Sequence, residues 1–321
     1  MTHISIDRKS VTGDLTSNEE DLSGNHSIGV RRANRRRLLG ALAAAPLASL
    51  AYPRHLRAAD QPTTSDGGPF VPTPWVIVDE MLKLAEIKPN DVVFDLGSGD
   101  GRLVIEAAKR YGARGVGLER DASLVVYSQK QAASQDLADR VKFVARDLFD
   151  ASLQDASVIT MYLLPRLMPR LVPKLRAELP VGARIVSHDY ALTPWPADKT
   201  VTFDTEEKLM INGMTHTTLL YYVVPARVGG TWSLTAPPDV AKEPIILVID
   251  QTPDRLTGTA IIGEHDTQLR DVTVRSDTIR FSLLYSGQLT EFLGKIDDSG
   301  MQGETRARAG GGRWTARRRP G

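Results

Sequence analysis

The chain has 321 residues, 41% hydrophobic and 25% charged, with 40 basic against 39 acidic residues and a net charge of +1. This is a soluble, globular composition with length for an α/β unit and a smaller companion, and its charge balance excludes nucleic-acid binding through bulk positive charge. With no cysteine, disulfides, thiolate metal sites and cysteine nucleophiles are excluded, while the redox compartment stays open.

The chain begins with a polar stretch that leads into Arg31, Arg32, Arg35, Arg36 and Arg37 and then an apolar run from Leu38 to Ala51. Asn34-Arg35-Arg36-Arg37-Leu38-Leu39-Gly40 resembles a twin-arginine export signal, and Ser49-Leu50-Ala51 offers the small residues a signal peptidase requires. The run is short of the roughly 20 residues a spanning helix needs, so a cleaved signal is expected rather than a permanent membrane span. Residues 1–59 therefore read as signal and leader, with the periplasm or cell envelope as destination, or the cytoplasm if the leader is not a functional signal. Residues 60–70, rich in proline, threonine and glycine, read as a linker.

Thr73-Pro74 predicts a helix start, with Thr73 as cap and Val76, Val78, Met81, Leu82 and Ala85 at helical spacing. Asp91 to Leu96 is a nearly continuous apolar run, as in a strand buried on both faces. Helical patterns at Arg102–Tyr111 and Ala122–Gln135 then alternate with strands at Gly115–Glu119 and Val141–Val144. Val158–Tyr162, a helix at Met168–Glu178 and Ala183–Ser187 continue the alternation, which is that of a doubly wound parallel sheet. Lys199–Leu209 and His216–Val224 read as two closing strands with no helix between them. After Pro225 about seven short strand-like runs separated by turn residues predict a small antiparallel sandwich or barrel. The domain limits expected are 71–224 and 225–321.

The chemistry concentrates in Asp95-Leu96-Gly97-Ser98-Gly99-Asp100-Gly101, a glycine turn between strand and helix. There Gly97, Ser98, Gly99 and Gly101 let a ligand approach the backbone and the helix's free amides. Asp95 two residues ahead of the first glycine, and Arg102 where a dinucleotide fingerprint wants a small residue, argue against a pyrophosphate. They favour a ligand carrying an ammonium and a sulfonium, attracted to Asp95 and to Asp100. Glu119 ends the next strand about 20 residues on, where a carboxylate can bind both ribose hydroxyls. Asp147-Leu148 follows the third, placed to hold an adenine amino group and cover its ring. Each acid alone is an ordinary strand-end residue; in order at successive carboxyl ends they define a ligand site. His188, His216 and His265 show no metal-ligand spacing, and no metal is expected.

From Val71 to about Tyr190 the chain resembles the class I S-adenosylmethionine-dependent methyltransferases. Within them it is most similar to the bacterial and mitochondrial protein-lysine methyltransferase group that includes the ATP synthase c-subunit lysine methyltransferase. The segments that carry the likeness are Val71–Pro74, Asp95–Gly101, Gly115–Glu119, Asp147–Phe149, Tyr162-Leu163-Leu164-Pro165 and Ser187-His188-Asp189-Tyr190. The resemblance implies a Rossmann-like seven-stranded sheet with a reversed closing hairpin, S-adenosyl-L-methionine as cofactor, a protein lysine as acceptor, and a contact from Thr73 to the cofactor. Tyr162 is the candidate wall of a lysine channel and His188 a candidate base. The alternatives from the residues themselves are a small-molecule or lipid methyltransferase, or a cofactor-binding envelope adaptor without turnover. Export also conflicts with a cofactor made in the cytoplasm, because a folded exported enzyme carries one cofactor molecule out.

Overall fold

The computed structural model describes residues 3–5, as backbone, together with 68–308 and 310–320. The export signal and the linker up to Gly67 lie outside the described residues. In chain order the first sheet and its helices are β1 (His3–Ser5), α1 (Trp75–Leu84), β2 (Val92–Leu96), α2 (Arg102–Tyr111), β3 (Arg114–Glu119), α3 (Ala122–Ala133), β4 (Val141–Ala145) and β5 (Val158–Met161). A single 3-10 turn (Pro165–Leu167) leads into α4 (Met168–Glu178), followed by β6 (Arg184–His188), β7 (Lys199–Asp204), α5 (Glu206–Asn212) and β8 (His216–Val223). The strand order is β1-β7-β8-β6-β5-β2-β3-β4, parallel from β6 through β4, with β8 antiparallel to both its neighbours. This is the seven-stranded, doubly wound sheet expected from the alternation, with β1 added at the β7 edge.

Successive strand residues point to opposite faces, so β2 feeds two cores. Val93 joins Ile77, Met81 and Leu82 of α1 and Leu103 and Ala107 of α2 on one side. Phe94 and Leu96 join Leu171, Val172 and Leu175 of α4 on the other. Burial on both faces is why β2 reads as an unbroken apolar run. Asp121 caps α3 by accepting the Ser123 amide at 2.8 Å, and Gly112 closes α2 in the left-handed conformation.

Two local expectations are corrected. Thr73 does not cap α1: Pro74 holds the cap position with an extended ψ of 146°, and no side chain caps the helix. The Thr73 carbonyl instead receives Arg102 Nη1 at 2.6 Å. Second, β7 stops at Asp204 and α5 stands between the closing strands. Thr205 accepts the Glu207 amide at 3.3 Å and Gly213 ends the helix in the left-handed region, two signals that the apolar pattern of Lys199–Leu209 overrode.

The second sheet comprises β9 (Gly230–Thr235), β10 (Ile245–Gln251), β11 (Leu256–Ile262), β12 (His265–Gln268), β13 (Arg270–Arg275), β14 (Thr278–Tyr285), β15 (Gln288–Asp297), β16 (Gly300–Arg306) and β17 (Arg313–Arg318). All pairings are antiparallel in the order β12-β11-β10-β9-β17-β16-β15-β14-β13, nine strands rather than about seven. The unforeseen strands are polar β12 and glycine-containing β16, whose sequences lack an apolar alternation. Trp232, Leu247, Ala260, Phe281, Phe292 and Trp314, from both halves of the sheet, share one core, so the sheet curls on itself. Trp314 lies over paired Gly294 and Gly303; a Cβ on Gly294 would sit 2.4 Å from its ring. Phe281 and Phe292 stack at 4.7 Å and both meet Trp314 edge-on.

Trp314→Ala removes the largest fully buried side chain of this core and is expected to cost about 3–5 kcal/mol in denaturant-induced unfolding of the second sheet. An unchanged unfolding midpoint contradicts the packing described.

Candidate active site

The site forms at the carboxyl ends of β2, β3, β5 and β6, where the strand order brings the successive motifs together. Asp95 lies in register with Gly117 on one side and Thr160 on the other. The Thr160 hydroxyl donates to Asp95 Oδ1 at 2.7 Å, and Asp95 is 3% exposed. Burial pushes its pKa up from 3.8 to about 8, with the Asp100 and Glu119 carboxylates adding and the Thr160 hydrogen bond opposing.

The glycine turn is held from three directions. The amides of Gly97 and Ser98 both donate to the Leu118 carbonyl at 2.9 and 3.0 Å. The Gly99 amide donates to Glu119 Oε2 at 2.9 Å, while the Ser128 hydroxyl donates to the Gly99 carbonyl at 3.0 Å. Gly99 has φ +52°, and a Cβ there would sit 2.2 Å from the Phe70 ring, so the turn needs glycine both for its backbone and for the segment over it. Gly101 opens α2 in the left-handed conformation. The Ser98 hydroxyl is buried without a hydrogen-bond partner.

Arg102, noticed in the sequence as a departure from the dinucleotide pattern, clamps this region. Its guanidinium meets both Asp100 oxygens, donates to the Thr73 carbonyl and lies 4.8 Å from the Trp75 ring. Asp100 thereby has a cation partner, whereas Asp95 has none among the described residues. Phe70, Val71 and Thr73 are drawn over the turn and line the cleft with Asp95, Gly97, Ser98 and Tyr162. Glu119 Oε1 accepts the amides of Arg120 and Asp121 at 2.7 and 3.0 Å, and Oε2, which accepts the Gly99 amide, keeps one lone pair for a ligand. Asp147 accepts the Phe149 amide at 2.9 Å and stands 3.8 Å from Arg120 Nε, with Leu148 buried beside it.

The cleft also meets Tyr162, just past β5. Its ring lies 4.0 Å from that of His188 and is stacked 6.3 Å from Tyr190, and its hydroxyl accepts Asn212 Nδ2 at 3.4 Å. Burial, reinforced by the Asp189 charge, raises its pKa, so it stays a neutral phenol. His188 is fully buried with neither ring nitrogen hydrogen-bonded, and burial pushes its pKa down from 6.5 to about 4. A neutral imidazole enclosed behind Tyr162 does not face the cleft. Asp189, at φ +64°, is occupied by Lys208, whose Nζ donates to both carboxylate oxygens at 2.9 and 2.7 Å and to the His216 carbonyl. Asn212 and Lys208 are the residues the sequence did not mark. Lys208 falls in the stretch read as strand, and Asn212 lies just beyond it on the same unforeseen helix.

These residues suit a ligand with a cationic amino-acid end: a buried carboxyl without a counter-ion, an unpaired serine hydroxyl and a glycine turn. Geometry and topology together define a class I methyltransferase fold. The family model described as the ANTKMT methyltransferase domain matches residues 95–199. A protein-lysine N-methyltransferase of Saccharolobus islandicus (strain REY15A) is 33% identical over 156 residues, 48% of this chain and 93% of that protein. The adenine nucleotide translocase lysine N-methyltransferase of Mus musculus is 38% identical over 128 residues, 40% of this chain and 55% of that one. A crystal structure of an RNA methyltransferase from Salinibacter ruber with S-adenosyl-L-homocysteine shares 42% identity, covering 49% of this chain and 96% of that chain at TM-score 0.44. The chain belongs to the protein-lysine N-methyltransferase family.

The buried acid has a pH signature. Folded Asp95 holds a proton that the unfolded chain releases above pH 3.8, so cofactor-free stability falls as pH rises toward about 8. His188 works in the opposite direction, but below pH 6.5. Between pH 6.5 and 8 the unfolding free energy is therefore expected to drop on the order of 1 kcal/mol per pH unit, and Asp95→Asn to flatten that slope. Denaturant titrations across this window check it, and a wild-type slope that survives in Asp95→Asn is the contrary result.

Proposed function

We propose that this chain methylates the side-chain nitrogen of a lysine in a protein, using residues 71–224, with the second sheet as an appended module. The observation that carries the reading is the position of Tyr162 on the cleft that Asp95 also lines, in a member of this family. Asp95 receives the ammonium of the cofactor's amino-acid end, and the glycine turn with Ser98 lies along it. Glu119 takes the ribose hydroxyls, and Asp147 with Leu148 takes the adenine. Thr73 belongs to the segment that Arg102 pins over the turn. When bound, S-adenosylmethionine supplies a methyl activated by a sulfonium, ready for in-line displacement by a neutral amine.

The chain's own task is to deliver that amine unprotonated and aligned. Leu163, Leu164 and Pro165 follow Tyr162 at the lip, and an apolar entrance disfavours the lysine ammonium and lowers its pKa before it enters. Asn212 occupies one acceptor site of the Tyr162 hydroxyl. The remaining site can accept an N–H of the amine, which turns the nitrogen's lone pair away from the ring. His188 acts through Tyr162, as the surface its ring rests on, rather than as a base in contact with substrate.

Tyr162→Phe is expected to lower kcat on the order of tenfold while leaving the Kd for S-adenosylmethionine unchanged. Labelled cofactor, a proteome from cells lacking the gene and mapping of the label test the acceptor. Label confined to small molecules, lipids or residues other than lysine contradicts the lysine reading.

A further inference from the structure

Helix α5 is inverted. A surface helix normally turns its apolar residues inward and its charges to water. This one buries Lys208, 1% exposed and paired with Asp189, and leaves Leu209, Met210 and Ile211 exposed at 46, 85 and 39%. Met214, just past the helix, is 51% exposed. The ion pair holds the inversion in place, since a rotation that buried Met210 would pull Lys208 from Asp189 and from the His216 carbonyl.

Hydrogen bonds tie the exposed apolar helix to residues of the cleft and of α1. Asn212, at the end of α5, donates to the Tyr162 hydroxyl, and the Met214 amide donates to Asn212 Oδ1 at 3.2 Å. At the other end of the helix, Glu207 Oε2 accepts the Val76 amide at 3.4 Å, which sets α5 against the start of α1. There Trp75 and Val71 add exposures of 51 and 36%, and Val71 itself lines the cleft. Asp204, Glu206 and Glu207, all exposed, supply an acidic border. A contiguous apolar patch rimmed by charge is the mark of a docking surface, and its position at the channel mouth says what docks.

We propose that α5, Met214 and Trp75 form the docking surface for the methyl acceptor, and that the segment of the acceptor protein flanking the target lysine is apolar. This rests on the lysine reading above. Apolar residues of the acceptor cover Met210 and Met214, the acidic border attracts the lysine ammonium on its approach, and the lysine enters past Tyr162.

The test uses the full chain saturated with S-adenosylhomocysteine and two synthetic helical peptides of equal charge. Each carries one lysine, with leucine on one peptide's i, i+3, i+4 face and serine on the other's. Calorimetry is expected to show the leucine peptide binding roughly tenfold more tightly or better, as burial of one or two large side chains provides. Met210→Ser combined with Met214→Ser should erase that preference, while Leu289→Ser, on the second sheet, should keep it. Equal binding of the two peptides, or a preference that survives the double substitution, overturns the proposal. So does a wild-type dimer in sedimentation that the double substitution splits, which would assign the patch to a second copy. Peptide binding as expected without transfer of label from S-adenosylmethionine would leave docking standing and overturn the lysine reading, whereas equal transfer to both peptides with no binding preference does the reverse.

Discussion

A carboxyl group cannot be taken out of water at the end of a central strand without consequence, and Asp95 is such a group. Its surroundings offer one threonine hydroxyl and two further carboxylates but no cation among the described residues, so the free protein favours the protonated acid. The fold around it maintains that situation. Burial of β2 on both faces keeps water from the strand end, and Arg102 satisfies Asp100 rather than Asp95. The Glu119 carboxylate is tied to the Gly99 amide and fixes the turn against the end of β3. In the proposed reading, the ligand supplies the cation that Asp95 lacks.

The far wall uses a completed ion pair for a different purpose. Lys208 is buried and Asp189 largely so, and a sequestered pair of this kind secures geometry more than it adds stability. Here the geometry is that of α5, which carries Asn212 to the Tyr162 hydroxyl and turns Met210 outward. A single helix of seven residues thus joins the proposed channel wall to the apolar surface at its mouth.

Much of the cofactor half was legible in the sequence because its residues obey one-dimensional rules. Asp95, Glu119 and Asp147 stand where strands end, and strand ends follow from apolar runs broken by glycine or acid. Arg102 was visible only as a mismatch: its partners, Asp100 and the Thr73 carbonyl, include a backbone atom 29 residues away that no spacing rule indicates. The acceptor half was less legible. Lys208 sits in a helix with apolar neighbours, and its burial depends on Asp189, brought to it by the pairing of β6 with β8. The same holds for β12 and β16 of the second sheet, which are strands because their neighbours' hydrogen bonds require partners, not because of their own pattern.

The account turns on whether Asp95 is the cofactor's counter-ion. Titration calorimetry of S-adenosylmethionine binding at pH 7, in buffers of different ionisation enthalpy, measures this directly. Because burial holds Asp95 protonated up to about pH 8 in the free protein and a bound ammonium favours the carboxylate, binding should release close to one proton, about one per site, and Asp95→Asn should abolish the release while weakening binding. Binding with no proton released by the wild type, and with undiminished affinity in Asp95→Asn, would contradict it.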